Sequence, residues 1–331
     1  LLAVVVKLLP AGRRDWGRAM RAESAAIEPG RERWTHALSC ARAVCAQPTA
    51  VRAWGYPLLT LAGLAGVLTW SHGIGYVPLR LGVVATVALL LGVAWWGRRP
   101  GVLGPVADSR MARAVRAGGC LLVGALTATF ASAAGTHGPP ADAARTGVPL
   151  FAAMLTSCLI GFLALTAQRT AVTARALAAG VAASFGVAGI WGVTQLAFPP
   201  LPADIRGAVI AIWLAVAAVV LLGARQQAGA RDILLAVLFI AILAPLLVFV
   251  EVLLLSSHGP AWLIPDLVPM ALSPADDLAN SRIEIQDPYM AMLLVAWLSA
   301  LALTCVAIAG GRTAADSGAD ADMAADPAVA G

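Results

Sequence analysis

Residues 233–256 read ILLAVLFIAILAPLLVFVEVLLLS, an apolar run interrupted only by Pro245 and Glu251. A helix of about 20 apolar residues spans the hydrocarbon core of a bilayer. A helix that is apolar on every side has no face to offer water. The run therefore predicts a membrane-spanning helix, and it opens into the longest polar connection in the chain, residues 257–288. The whole chain agrees: of its 331 residues 60% are hydrophobic and only 12% charged, with a mean hydropathy of +0.82. A soluble domain carries about 25% charged residues. The solvent for most of this surface is lipid, and the backbone inside lipid must satisfy its own hydrogen bonds, which selects helices.

Seven further apolar runs can be placed around this one. The expected spans are 54–70, 77–96, 118–134, 149–167, 176–198, 207–224, 233–256 and 289–310. The first is among the shortest and relies on Trp54, Tyr56 and Trp70 to reach both interfaces. Segments 1–53, 97–117, 168–175, 225–232 and the tail hold nineteen Lys and Arg, while the alternate loops hold only Arg80, Arg145, Arg206 and Arg282. That asymmetry predicts both termini on the cytoplasmic side. The expected fold is all-α: a polytopic transmembrane bundle of about eight spans. A cytoplasmic amphipathic segment, 1–53, precedes the membrane domain at 54–310, and a disordered cytoplasmic tail, 311–331, follows it. Residues 1–9 are too short an apolar stretch, and too soon followed by Pro10, Arg13 and Arg14, to read as a secretory signal.

Residues 11–47 read as two short amphipathic helices broken at Pro29-Gly30. Trp16, Met20 and Ile27 share a face of the first; Trp34, Leu38, Ala41 and Cys45 recur on the second. Such a hairpin suits a membrane surface, a soluble cytoplasmic partner or ATPase, or simple tethering of the first span. Within it, Arg14, Trp16, Gly17, Ala19, Met20, Ala22 and Glu23 form an R-x-W-G-x-A-M-x-A-E segment, with Trp34, Ala37, Leu38 and Cys40 behind it. On these residues the chain resembles a group of uncharacterised polytopic integral membrane proteins of the high-GC, actinobacterial kind. The resemblance covers about a tenth of the chain and brings no activity with it.

Internal likeness suggests two four-helix copies. LAGLAGV at 61–67 matches VAGIWGV at 187–193, and at the same offset of 126 Arg80 meets Arg206 and Gly97 meets Gly223. Thr136-His137-Gly138-Pro139 echoes Ser257-His258-Gly259-Pro260, and LALT recurs at 163–166 and 301–304. Parallel repeats of this sort meet at a central interface, as in many transporters. Ala/Leu/Val-rich helices also match one another by composition, which leaves a single eight-helix bundle as the other reading.

Glu251 is the one carboxylate well inside an expected span, and an intramembrane acid is costly enough to imply a use. It could carry a proton, pair with a cationic substrate, or pair with Arg80 or Arg206 at the interface. Pro245, six residues earlier, removes a backbone donor and frees a carbonyl. His72, His137 and His258 each stand in a Ser/Thr-His-Gly context at the end of an odd-numbered span; three imidazoles converging there would bind a metal or sense pH. The same context also reads as a helix C-terminus with a left-handed glycine cap. In the 257–288 loop, residues 262–265 would dip into the interface and 281–285 alternate like a short strand, within an ordered cap over the bundle.

Phosphate-loop, zinc-protease and nucleophile-elbow motifs are lacking, so no enzyme, no cofactor and no nucleic-acid partner are expected. The five cysteines show no ligand spacing and read as reduced thiols. The functional expectation is an inner-membrane transporter or permease, alone or as the membrane subunit of a larger assembly. The alternative is a sensor or scaffold signalling through the hairpin at 11–47.

Overall fold

The structure is a computed structural model that describes residues 14–46, 48–99, 101–136, 141–170, 172–197, 216, 218, 223, 229–264, 266–267 and 273–324. Among these the chain is α-helical without strands; Val106 and Ala167 alone pair as an isolated antiparallel bridge. The helices are α1 (Arg14–Ala26), α2 (Arg31–Cys45), α3 (Pro48–Ser71), α4 (Val77–Trp96), α5 (Arg110–Thr136), α6 (Ala141–Leu165), α7 (Ala174–Ala197), α8 (Ala230–His258), α9 (Pro274–Glu284) and α10 (Asp287–Ala324). Six stretches are long and apolar enough to cross a membrane: α4 and α8, most of α5, α6 and α7, and the run Pro274–Ala309 through α9 and α10. The first expected span falls within α3, and the sixth, 207–224, lies almost wholly outside the described residues.

The chain divides into two compact units, Leu1–His72 and Gly73–Gly331. In the first, α1 and α2 meet through Met20, Cys40 and Val44, with Ala37 beside them. The tryptophans are not at that contact: Trp16 is 42% and Trp34 63% exposed. Leu58, Leu59, Leu61 and Leu68 of α3 also face outward.

In the second unit α8 shares the centre with α6. It packs most extensively against α10 and α7; α10 lies on α6, and α4 and α5 lie on α6 in turn. Of the apolar stretches, 72% of α6 and 61% of α8 are buried, against 22% of α4, which makes α6 and α8 the centre. The rim carries Leu81, Leu89, Leu121, Phe185, Val193 and Leu298 on its outside. An exposed apolar surface of that extent is foreign to a soluble monomer and natural in lipid. Lipid tails are as apolar as leucine, so close packing must hold such helices together, and small residues at the crossings allow it. Here Gly119 of α5 lies over the ring of Phe162, and Gly180 of α7 over that of Phe239. The two rings stand edge to face, with centroids 6.1 Å apart.

Two expectations change. Residues 281–284 are helical and Ile285 is the C-cap of that helix, so 281–285 is not a strand. Ser273 caps α9 by accepting from the Asp276 N–H at 3.2 Å, and Pro274 occupies the first turn, so a start signal outweighs a short alternation. The tail is helical as far as Ala324, where disorder was expected from residue 311. Alanine, the strongest helix former, recurs through that stretch.

Candidate functional site in the seam between α7 and α8

Glu251 lies seven residues before the end of α8, between the buried Val248 and Val252. Its carboxyl meets α7 at Gly192: a Cβ built there would stand 3.3 Å from Oε2 and 3.9 Å from Cδ. Glycine at this position leaves the acid room between the helices. Beside it Trp191 is buried and packs edge to face on Tyr289 at the start of α10, 5.5 Å between centroids. Oε2 is buried and has no hydrogen-bond partner among the described residues. A buried carboxylate left without compensation costs several kcal/mol. The geometry therefore calls for a proton, a cation or a further side chain on that oxygen.

Arg80 sits half-buried in the first turn of α4, its backbone N–H bonded to the Tyr76 carbonyl at 3.1 Å; among the described residues no ion pair links it to Glu251. Arg206 lies outside the described residues. Pro245 is buried within α8, which continues unbroken through it.

His72 and His258 each bond within their own helix end. Nδ1 of His72 lies 2.6 Å from the Leu68 carbonyl at the end of α3, and Nδ1 of His258 lies 2.7 Å from Ser257 Oγ at the end of α8. His137 lies outside the described residues. Among those described, no group of three His, Cys, Asp or Glu could hold a metal. Gly259 is not the expected left-handed cap: its φ is −64°. Glycine is needed there because a Cβ would come 2.3 Å from the Leu255 carbonyl oxygen. Cys40, Cys120, Cys158 and Cys305 are free thiols, two of them exposed.

Two arginines outside the expected site hold the helix ends. Arg116 of α5 donates through Nη2 to the Leu163 carbonyl, through Nε to Thr166 Oγ1 and through Nη1 to the Gly104 carbonyl, each at 2.8 Å. It thereby ties the last turn of α6 to the loop before α5. The same junction is closed by Ala107 N–H to the Thr166 carbonyl and Gln168 N–H to the Pro105 carbonyl. Arg282 of α9 donates to the carbonyls of Ser256 at 2.7 Å and Gly259 at 2.6 Å, and Gln286 Nε2 reaches Ser256 Oγ at 3.1 Å. A helix end leaves its last four carbonyls unpaired, and a guanidinium fork answers several at once. Leu263 and Ile264 are buried below this cap, with Trp262 exposed. Only the basic residue could have been seen in the sequence; apart from Thr166 Oγ1, the acceptors of the two arginines are main chain. Comparison with protein-family models, with curated proteins and with solved structures returns no match for the chain.

Proposed function

We propose that the chain is an inner-membrane protein of transporter or permease type in which Glu251 binds the coupling proton or a cationic solute. One observation carries the reading: a carboxyl oxygen buried in the α7–α8 seam, against a glycine, without a partner among the described residues. A quiet membrane helix has no reason to keep such a group. Eight spans with both termini in the cytoplasm complete the proposal, with α3 as the first and 207–224 as the sixth. Support for two copies comes from α6 and α10, the fourth and eighth spans. The LALT match pairs residue 161 with 299, and a Cβ on Gly161 would stand 3.3 Å from that of Ala300. Corresponding helices crossing near corresponding residues is what a twofold-related pair of repeats requires.

The test is uptake of a panel of organic and inorganic cations into proteoliposomes, with and without an imposed pH gradient. The native protein should accumulate at least one of them in a gradient-dependent manner, and Glu251→Gln should not. Equal uptake by the two proteins rules out the assigned role. The second reading, a sensor or scaffold, draws on the separate compactness of residues 1–72. Deleting 1–46 should then leave the spans inserted and the cell unresponsive.

A further inference from the structure

The outward face of α2 repeats every helical turn. Arg31, Trp34, Leu38 and Arg42 fall at i, i+3, i+7 and i+11, one stripe along the helix. All four are exposed, Trp34 at 63% and Leu38 at 55%. The side toward α1 is taken up by Ala37, Cys40 and Val44, so α1 does not cover the stripe. An aromatic and a leucine between two arginines is the pattern of a helix lying at headgroup depth. Tryptophan favours the interface, and arginine stems reach past apolar surface to phosphates.

Charge points to the same occupant. Residues 1–53 hold nine Lys and Arg against four Asp and Glu, so the chain's entire net charge of +5 resides there and the remainder is balanced. A basic segment next to a membrane span is attracted to anionic lipid. The connection leaves little freedom: α2 ends at Cys45 and α3 begins at Pro48. Three Cα–Cα steps reach about 11 Å at most. With α3 in the bilayer, the end of α2 is confined to its surface.

We infer that the Arg31–Trp34–Leu38–Arg42 stripe is a docking surface for anionic phospholipid, holding the hairpin flat on the leaflet from which α3 enters. The inference rests on α3 being a span, which belongs to the reading above, but not on transport.

The experiment uses the full chain with its five cysteines replaced by alanine. Single cysteines at Leu38, Ala43 or Leu61 carry an environment-sensitive fluorophore. The protein is reconstituted into vesicles of phosphatidylcholine alone, or with phosphatidylglycerol at about three parts in ten, a composition that supplies the anionic surface. Quenching spin labels are placed in the lipid near the headgroup or deep in the chains. The Leu38 label should be quenched by the shallow label, strongly in the anionic vesicles. The Arg31→Glu/Arg42→Glu variant should lose about half of that quenching or more, because each arginine near the surface contributes to the attraction. A label at Ala43, exposed on the opposite side of α2, should stay in water. The Leu61 label, on an exposed position of α3, should respond to the deep quencher. If Leu61 responds and Leu38 does not, the docking surface is overturned while the span survives. If Leu61 fails to respond, α3 is no span and the inference falls with that premise. Shielding of Leu38 only after soluble cell protein is added overturns it in favour of a protein partner.

Discussion

A single oxygen atom decides how Glu251 is to be understood. Oε2 is buried against Gly192, and nothing among the described residues answers it. A buried acid in an apolar seam that holds a proton reacts with a hydrophobic carbodiimide, whereas a solvated or ion-paired carboxylate does not. Incubation of the reconstituted protein with dicyclohexylcarbodiimide should therefore modify Glu251 ahead of every other carboxyl, as read by peptide mass. Glu251→Gln should abolish that adduct with little loss of stability, since the amide keeps the shape of the acid. Gly192→Leu should displace the carboxyl and change the adduct yield without touching any charge. Equal modification of Glu251 in the native protein and in Gly192→Leu would remove the seam from the argument. Glu251 itself was legible in the sequence as a candidate, because one acid in an apolar run stands out. Its neighbour was not, since Gly192 is one of 32 glycines and nothing in a string says which of them another helix will touch.

At the scale of elements, apolar run length located the central parts of the helices but not their ends. The run at 118–134 became α5 from Arg110, and 233–256 became α8 from Ala230 to His258. Hydropathy reports the part of a helix that sits in hydrocarbon, while the backbone continues its ladder through polar turns at either side. Arg116 shows what this hides: it lies in the polar turns of α5, and two of its three acceptors are main-chain carbonyls, which every residue possesses. Its three donors make charge-assisted bonds, and their loss should cost about 2–4 kcal/mol. Arg116→Ala should lower the midpoint of SDS-induced unfolding accordingly. Arg116→Lys should recover only part, because an ammonium cannot reproduce the fork; full recovery would show that charge alone suffices. The glycine slots make a second prediction of the same kind. A Cβ at Gly119 would stand 2.5 Å from the Phe162 ring and one at Gly180 2.6 Å from Phe239. Either alanine substitution should destabilise by about 1–3 kcal/mol through overpacking. Gly186, with open space around it, should tolerate alanine in the same assay.

For the molecule as a whole the question is how many times the chain crosses. Between the loop before α5 and the loop after α8 lie four described helices long and apolar enough to span, α5, α6, α7 and α8. Four crossings return the chain to the side it left; a fifth, within 198–229, puts the two loops on opposite sides. The basic residues favour the fifth. Arg169 precedes α7 and Arg175 lies in its first turn; Arg225 precedes α8 in the sequence and Arg231 lies in its first turn. These two groups share a compartment only if the chain comes back across between them. The prediction is direct. In a cysteine-free background, Asp108→Cys and Ala279→Cys are both exposed positions. A membrane-impermeant maleimide applied to intact spheroplasts should label residue 279 and leave residue 108 unlabelled until the membrane is opened. Labelling of both, or of neither, would mean an even number of crossings between them, and residues 207–224 would then not span. The two-copy reading would fail with them, because its second half would lack the counterpart of α4.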